Sequence, residues 1–164
     1  MEKNKEFKYK LSGKWRFFHL TYATMLCVFV ILFFSIALSR DTTFFQKWIM
    51  APIFIIISIV YARREISRAL TETLVITPSG VEYATFDFNL FSKWGDIKRI
   101  AKERDYFIKV TGICVDKATS EIRKSNLGTT NSEFFIPIST FSKNWEDSEV
   151  GKQIRKYAPQ LFDQ

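Results

Sequence analysis

Two apolar stretches decide the fold: Phe17 to Leu38 (FFHLTYATMLCVFVILFFSIAL) and Phe44 to Ala62 (FFQKWIMAPIFIIISIVYA), separated only by SRDTT, Ser39 to Thr43. Crossing a hydrocarbon core of about 30 Å takes about 20 mostly apolar residues in a helix. The first stretch has 22 residues and no Asp, Glu, Lys or Arg. The second has 19, with Gln46 and Lys47 near its start. Lys47 can snorkel to an interface, Trp48 suits an interfacial anchor, and Pro52 marks a first turn or a kink. The pattern predicts a transmembrane helical hairpin, 17–38 and 44–62. A signal peptide has a shorter apolar region and a small-residue cleavage site. Buried helices of a soluble protein are the other alternative.

Charge orients the hairpin. Lys3, Lys5, Lys8, Lys10, Lys14 and Arg16 precede the first stretch, and Arg63, Arg64 and Arg68 follow the second. Arg40 in the short connection is offset by Asp41. Basic flanks stay inside, so both termini are expected in the cytoplasm of a multi-pass protein of the inner membrane. The net charge of +7 divides as +4 over residues 1–16, +1 over 17–62 and +2 over 63–164. The excess is juxtamembrane, where it suits anionic headgroups and excludes a basic nucleic-acid-binding domain. Cys27 and Cys114 lie in a predicted span and in the domain after it, too far apart to pair, and read as small apolar residues of a reducing compartment.

Four regions follow: a basic N-terminal segment (1–16), flexible or interfacial; the two spans; a helical connector (63–72); and a cytoplasmic domain (73–164). Within the domain, Leu74 to Thr77 and Val81 to Ala84 flank Thr77-Pro78-Ser79-Gly80, a turn with Pro at i+1 and Gly at i+3. Phe86 to Leu90 and Tyr106 to Val110 alternate apolar and polar residues, as half-buried strands do. Ile113 to Val115 is a short strand, and Asp116 to Ser132 a long polar connection. Phe134 to Ile138 is the last strand, and Pro137 assigns it to an edge or a bulge. Val150, Ile154, Tyr157, Ala158 and Leu161 then share one helical face, with Ser142 or Asn144 as cap and Pro159 limiting the end. Glu146, Asp147 and Glu149 fall in its expected first turn and Lys152, Arg155 and Lys156 in its last, which complements the helix dipole. The fold class is α+β: a helical hairpin, then a small antiparallel barrel or sandwich capped by a C-terminal helix. Phe86, Phe88, Trp94, Tyr106, Phe107, Phe134 and Phe135 are the expected bulk of its core.

Two spans, then ITPSGVEY, WGDI, RDYFIKV, FFIPISTF and a final helix make up an order that resembles the YcxB-like family of bacterial membrane proteins. The cytoplasmic part of that family is similar to bacterial pleckstrin-homology-like (PH-like) domains. Trp94, Asp96 and Ile97 match its Trp-x-Asp-Ile turn, and Ile136, Pro137 and Phe141 its Ile-Pro strand and following aromatic. The resemblance implies a fold and a location, and brings no catalytic residues.

Little points to chemistry. His19 is the only histidine and sits near one end of the first stretch, where a headgroup contact or an interhelix hydrogen bond is expected. No zinc-ligand spacing, phosphate-binding loop or dinucleotide fingerprint occurs. Neither a catalytic residue, a metal site nor a cofactor is expected, and the protein is not expected to be an enzyme. Leu74 to Thr85 holds no Lys or Arg, which argues against a phosphoinositide-type pocket. Lys98, Arg99, Lys102 and Arg104, with Arg63 and Arg64, are the candidate anionic-lipid contacts, set against an ordinary charged surface loop at 98–104. The small and polar Thr21, Thr24, Ser35 and Ser58 are expected between the helices. The expected function is a membrane-anchored module that docks a cytoplasmic protein partner. The alternatives are an immunity or stress-response protein that neutralises a toxin, and an accessory subunit of a larger membrane complex or an oligomer.

Overall fold

The computed structural model describes residues 6–37, 49–105, 108–116, 121–125 and 133–162. The chain divides into two units, Gly13–Leu70 and Met1–Ser12 with Thr71–Gln164. The expected turn at 39–43, Lys47, Trp48, Tyr106 and Phe107 lie outside the described residues.

The first unit is a pair of helices, α1 (Gly13–Ala37) and α2 (Ala51–Thr71). They run antiparallel, as two cross-contacts show: His19 meets Glu65, and the Phe33 and Phe54 rings lie 5.1 Å apart. The buried positions of α2 are Ala51, Ser58, Ala62, Glu65 and Ala69, and those of α1 are Trp15, His19 and Ala23. Steps of three, four and seven place these residues on narrow seams of small and polar side chains. The outer surface is the reverse, with Phe17, Met25, Ile31, Ile36, Ile56, Ile59 and Val60 all exposed. Only 11% of the most apolar window of α1 is buried, so α1 is not a core helix of the fold described here. Among the described residues α1 is the one helix long and apolar enough to cross a membrane. α2 becomes charged from Arg63 onward, which leaves Ala51 to Ala62 as its apolar part.

Of the four residues expected between the helices, only Ser58 is buried there. Thr21, Thr24 and Ser35 are exposed. Thr24 Oγ1 and Ser35 Oγ donate to the carbonyls of Leu20 and Ile31, each 2.9 Å away. A hydroxyl that satisfies itself on its own helix has no need of a neighbour.

The second unit begins before the helices. Phe7–Lys10 forms β1, a strand where a flexible or interfacial segment was expected. It pairs antiparallel with β2 (Thr73–Thr77), placing Phe7 opposite Ile76 and Lys10 opposite Thr73. β2, β3 (Gly80–Ala84) and β4 (Phe88–Lys93) form a meander, and β7 (Glu121–Ser125) completes a five-stranded antiparallel sheet of order β1-β2-β3-β4-β7. β7 lies inside the connection expected at 116–132, of which residues 117–120 and 126–132 lie outside the described residues. The turn between β2 and β3 is closed by Thr77 Oγ1, which donates to the Gly80 carbonyl at 2.9 Å. A Cβ at Gly80 would lie 2.2 Å from the Ser92 carbonyl, so only glycine lets β3 approach β4 there.

A second sheet contains β5 (Ile97–Asp105), β6 (Ile108–Asp116) and β8 (Glu133–Ile136), in that order. Residues 98–104 are therefore a strand and not a surface loop: exposed charges stand on a backbone that pairs along its length with β6. β8 stops before Pro137 and lies at an edge, as the proline requires. Where an open barrel or a sandwich was expected, the strands form two separate antiparallel sheets, neither closed into a barrel.

The C-terminal helix, α3 (Glu149–Tyr157), is shorter than its charge pattern suggests. Ser148 caps it, with Oγ accepting from the Gly151 amide, so Glu146 and Asp147 precede the first turn. α3 packs on β2, and the 3-10 turn Pro159–Leu161 that follows packs on β5, so the C-terminal segment touches both sheets. The core is aliphatic: Leu74, Ile76, Val81, Leu90, Val110, Ile113, Val115, Ile136, Ile138 and Ile154 are fully buried. Trp94 is buried as expected, but Phe86 is exposed and Phe88, Phe134 and Phe135 are half-buried. β-Branched and Leu side chains fill the space between pleated surfaces, and the larger rings are left along its margin.

Candidate functional site

The motif residues serve the fold. Trp94 opens a 3-10 turn, Trp94–Asp96, that delivers buried Ile97 into β5. Its indole N–H donates to the Thr77 carbonyl at 2.9 Å, and its ring stacks on Tyr157 at 5.7 Å. One side chain thus ties the β2–β3 turn to α3. Ile136, Pro137 and Phe141 are buried, and the Phe141 ring meets Tyr83 edge-on at 6.2 Å. Thr140 Oγ1 donates to the Pro137 carbonyl at 2.6 Å, closing the turn after β8.

The basic set is divided between the two units. Arg63 and Arg64 are exposed on α2, while Lys98, Arg99, Lys102 and Arg104 are exposed on β5. Lys98 pairs with Asp116 at 3.0 Å and Glu133 at 3.3 Å, and Arg99 reaches Glu133 at 3.2 Å. A register shift between Ile97 and Arg99 accompanies this cluster. Hydrogen bonds that the Lys98 ammonium donates to Asp116 and Glu133 raise its pKa above the ordinary value. Half of the β5 charge is thereby answered within the sheet, leaving Lys102 and Arg104 as its outward cations.

Two acidic residues went unrecognised in the sequence. Glu65 is 1% exposed, and its Oε2 lies 2.7 Å from His19 Nδ1. Trp15 and Phe18 flank the imidazole, with ring centroids 6.0 and 5.6 Å away. The interhelix hydrogen bond expected of His19 is present, and its partner sits where RREISRALTE reads as a solvated connector. The available signal was spacing: Glu65 stands seven residues after Ser58, three after Ala62 and four before Ala69. Glu72, also buried, accepts a hydrogen bond from Tyr83 Oη at 2.5 Å.

At the edge of the larger sheet, Tyr9 Oη is buried and makes no hydrogen bond among the described residues. Burial, reinforced by the Glu149 carboxylate, pushes the phenol up to about 12. Burial likewise raises the Cys114 thiol, against the opposing charge of Arg99. Among the described residues no group of three or more His, Cys, Asp or Glu is placed to hold a metal ion. No protein family, curated protein or solved structure matches the chain.

Proposed function

We propose that this chain is a two-span membrane protein with both termini in the cytoplasm. Its β unit is a PH-like, non-enzymatic module that holds a docking surface for a cytoplasmic protein partner at the membrane. The observation that carries this reading is the β1–β2 ladder. β1 precedes α1 and β2 follows α2, so strands hydrogen-bonded to each other must lie on the same side of a bilayer. A helix α1 that crosses therefore needs a return crossing, and 44–62 is the apolar stretch available for it. The exposed apolar shell of both helices supports immersion in lipid, and the basic flanks support the cytoplasmic assignment. Two antiparallel sheets followed by a C-terminal helix support the PH-like reading. Arg63 and Arg64 suit anionic headgroups next to the apolar part of α2.

Cysteine labelling tests the topology in a Cys27→Ala, Cys114→Ala background. A membrane-impermeant maleimide should label Thr42→Cys on intact spheroplasts and Lys8→Cys only after permeabilisation. Equal labelling of both would overturn the two-span reading. A photocrosslinker placed at Thr77 in native membranes should then capture one protein partner. Capture of lipid alone would sink the docking reading.

A further inference from the structure

The larger sheet is covered on one edge by a segment poorly suited to hold it. β2 reads Thr73-Leu74-Val75-Ile76-Thr77 and contains no charge and no proline. Bare edges of this kind recruit other strands, and folded proteins ordinarily protect them. Here the protection is β1, only four residues long. It covers Thr73 through Ile76 and leaves Thr77 without a partner on that strand. Its inward residues, Phe7 and Tyr9, lie opposite Ile76 and Leu74 but are themselves only half-buried. Tyr9 brings a hydroxyl into this contact that goes unsatisfied, a cost an apolar side chain would avoid.

The C-terminal end of β1 is anchored. Leu11 is buried, and the Ser12 amide donates to the Thr140 carbonyl at 2.9 Å. Residues 7–10 extend from that anchor as a strap. The strap is also in series with the helices: β1 leads into α1 after Leu11 and Ser12, and α2 leads into β2 after Glu72.

We propose that the β2 edge is a strand-acceptor site that β1 fills in cis, and that a protein partner docks by placing its own extended segment there. The proposal rests on the docking reading above and names its surface. The partner segment alternates apolar and cationic residues as Phe7-Lys8-Tyr9-Lys10 does. It differs in carrying a side chain without a hydroxyl opposite Leu74 and in reaching one residue further, to Thr77. The Glu149 carboxylate, near enough to act on Tyr9, disfavours an acidic side chain opposite Leu74. Backbone bonds to β2 supply affinity, and the alternate side chains supply selectivity.

The test uses the full-length chain in nanodiscs and a fluorescent peptide, EFKFKLS, with EFKPKLS as control. Tyr9→Pro loosens β1 in cis. Because an edge filled in cis taxes a competing strand, Tyr9→Pro should bind EFKFKLS about tenfold tighter than wild type, and neither chain should bind the control. Hydrogen exchange at Thr73 to Thr77 should quicken in Tyr9→Pro and slow again on adding the peptide, while β5 and β6 stay protected. Unchanged exchange at β2 in Tyr9→Pro, or equal affinity for both peptides, would overturn the proposal. Should Tyr9→Pro lose protection throughout the unit, wild type decides the matter. EFKFKLS carrying a photoreactive phenylalanine must label residues 73–77 and leave 97–105 unlabelled, and the reverse pattern rejects the site. Peptide binding without a captured cellular partner would leave the acceptor site standing and remove the docking reading alone.

Discussion

The helix pair and the β unit are built inside out with respect to each other. The buried residues of α1 and α2 are alanines, a serine, a His–Glu pair and, at one end, Trp15, while Phe, Ile, Val and Met cover the outside. In the β unit, Leu, Ile and Val fill the centre, and Lys, Arg and Glu stand on the surface. The contrast matches the two solvents that the two-span reading assigns to them. In water, burying apolar area drives association, so the centre is apolar. Against lipid that drive vanishes, and close backbone approach and hydrogen bonds hold helices together instead.

Substitutions can break the contrast, beginning with matched changes of isoleucine. Ile113→Ala, in the β core, should cost about 4 kcal/mol in denaturant unfolding through the cavity it leaves. Ile31→Ala, exposed on α1, should change stability by less than about 0.5 kcal/mol. Equal effects would erase the distinction between the two parts. Glu65→Ala should weaken the helix pair by about 3 kcal/mol, because it removes one side of a buried polar pair. The double change His19→Leu, Glu65→Leu should recover most of that loss in thermal unfolding. Failure to recover would mean that the pair does more than satisfy itself.

Within the β unit, Trp94→Phe removes the hydrogen bond to Thr77 and should cost about 1 kcal/mol, read as a fall in Tm. Glu133→Gln, which weakens the exposed pairs with Lys98 and Arg99, should cost at most about 0.5 kcal/mol and less in high salt. The most local effect concerns pH. The phenol of Tyr9 is raised from 10.0 to about 12 in the folded chain. The contribution of β1 docking is therefore full below pH 10 and is lost as pH rises through about 12. Proteolysis at residues 7–10 should increase over that window in wild type and stay flat in Tyr9→Phe.

The helix α1, the β2–β3 hairpin, the edge position of β8 and the amphipathic α3 were legible because each is a local pattern of period or turn chemistry. What escaped depended on partners distant in sequence. FKYK is too short and too basic to announce a strand, and it becomes one only because β2 offers an edge about sixty residues later. The run KRIAKERD reads as surface from its charges, yet Ala101 pairs with Gly112, where a Cβ would meet the Ile136 carbonyl at 2.3 Å. Glu65 looked solvated since its neighbours Arg63 and Arg64 are, and the helical twist that turns it inward shows only against Ser58 and Ala62. For the candidate site, the listing of six basic residues was readable, but their division between α2 and β5 and the pairing of Lys98 and Arg99 were not.

The β1–β2 ladder also sets an order of events during synthesis. β1 leaves the ribosome before any other element and is among the last able to find its place. It must wait while both helices and then β2 are made. The loop that closes it is long, though doubling loop length adds only about 0.6 kcal/mol to the closure cost. A helix pair already formed would bring the two strands together and lower even that. On the two-span reading, the growing chain carries β2 uncovered for as long as insertion of the helices takes, and slow insertion exposes it to pairing with a neighbouring chain.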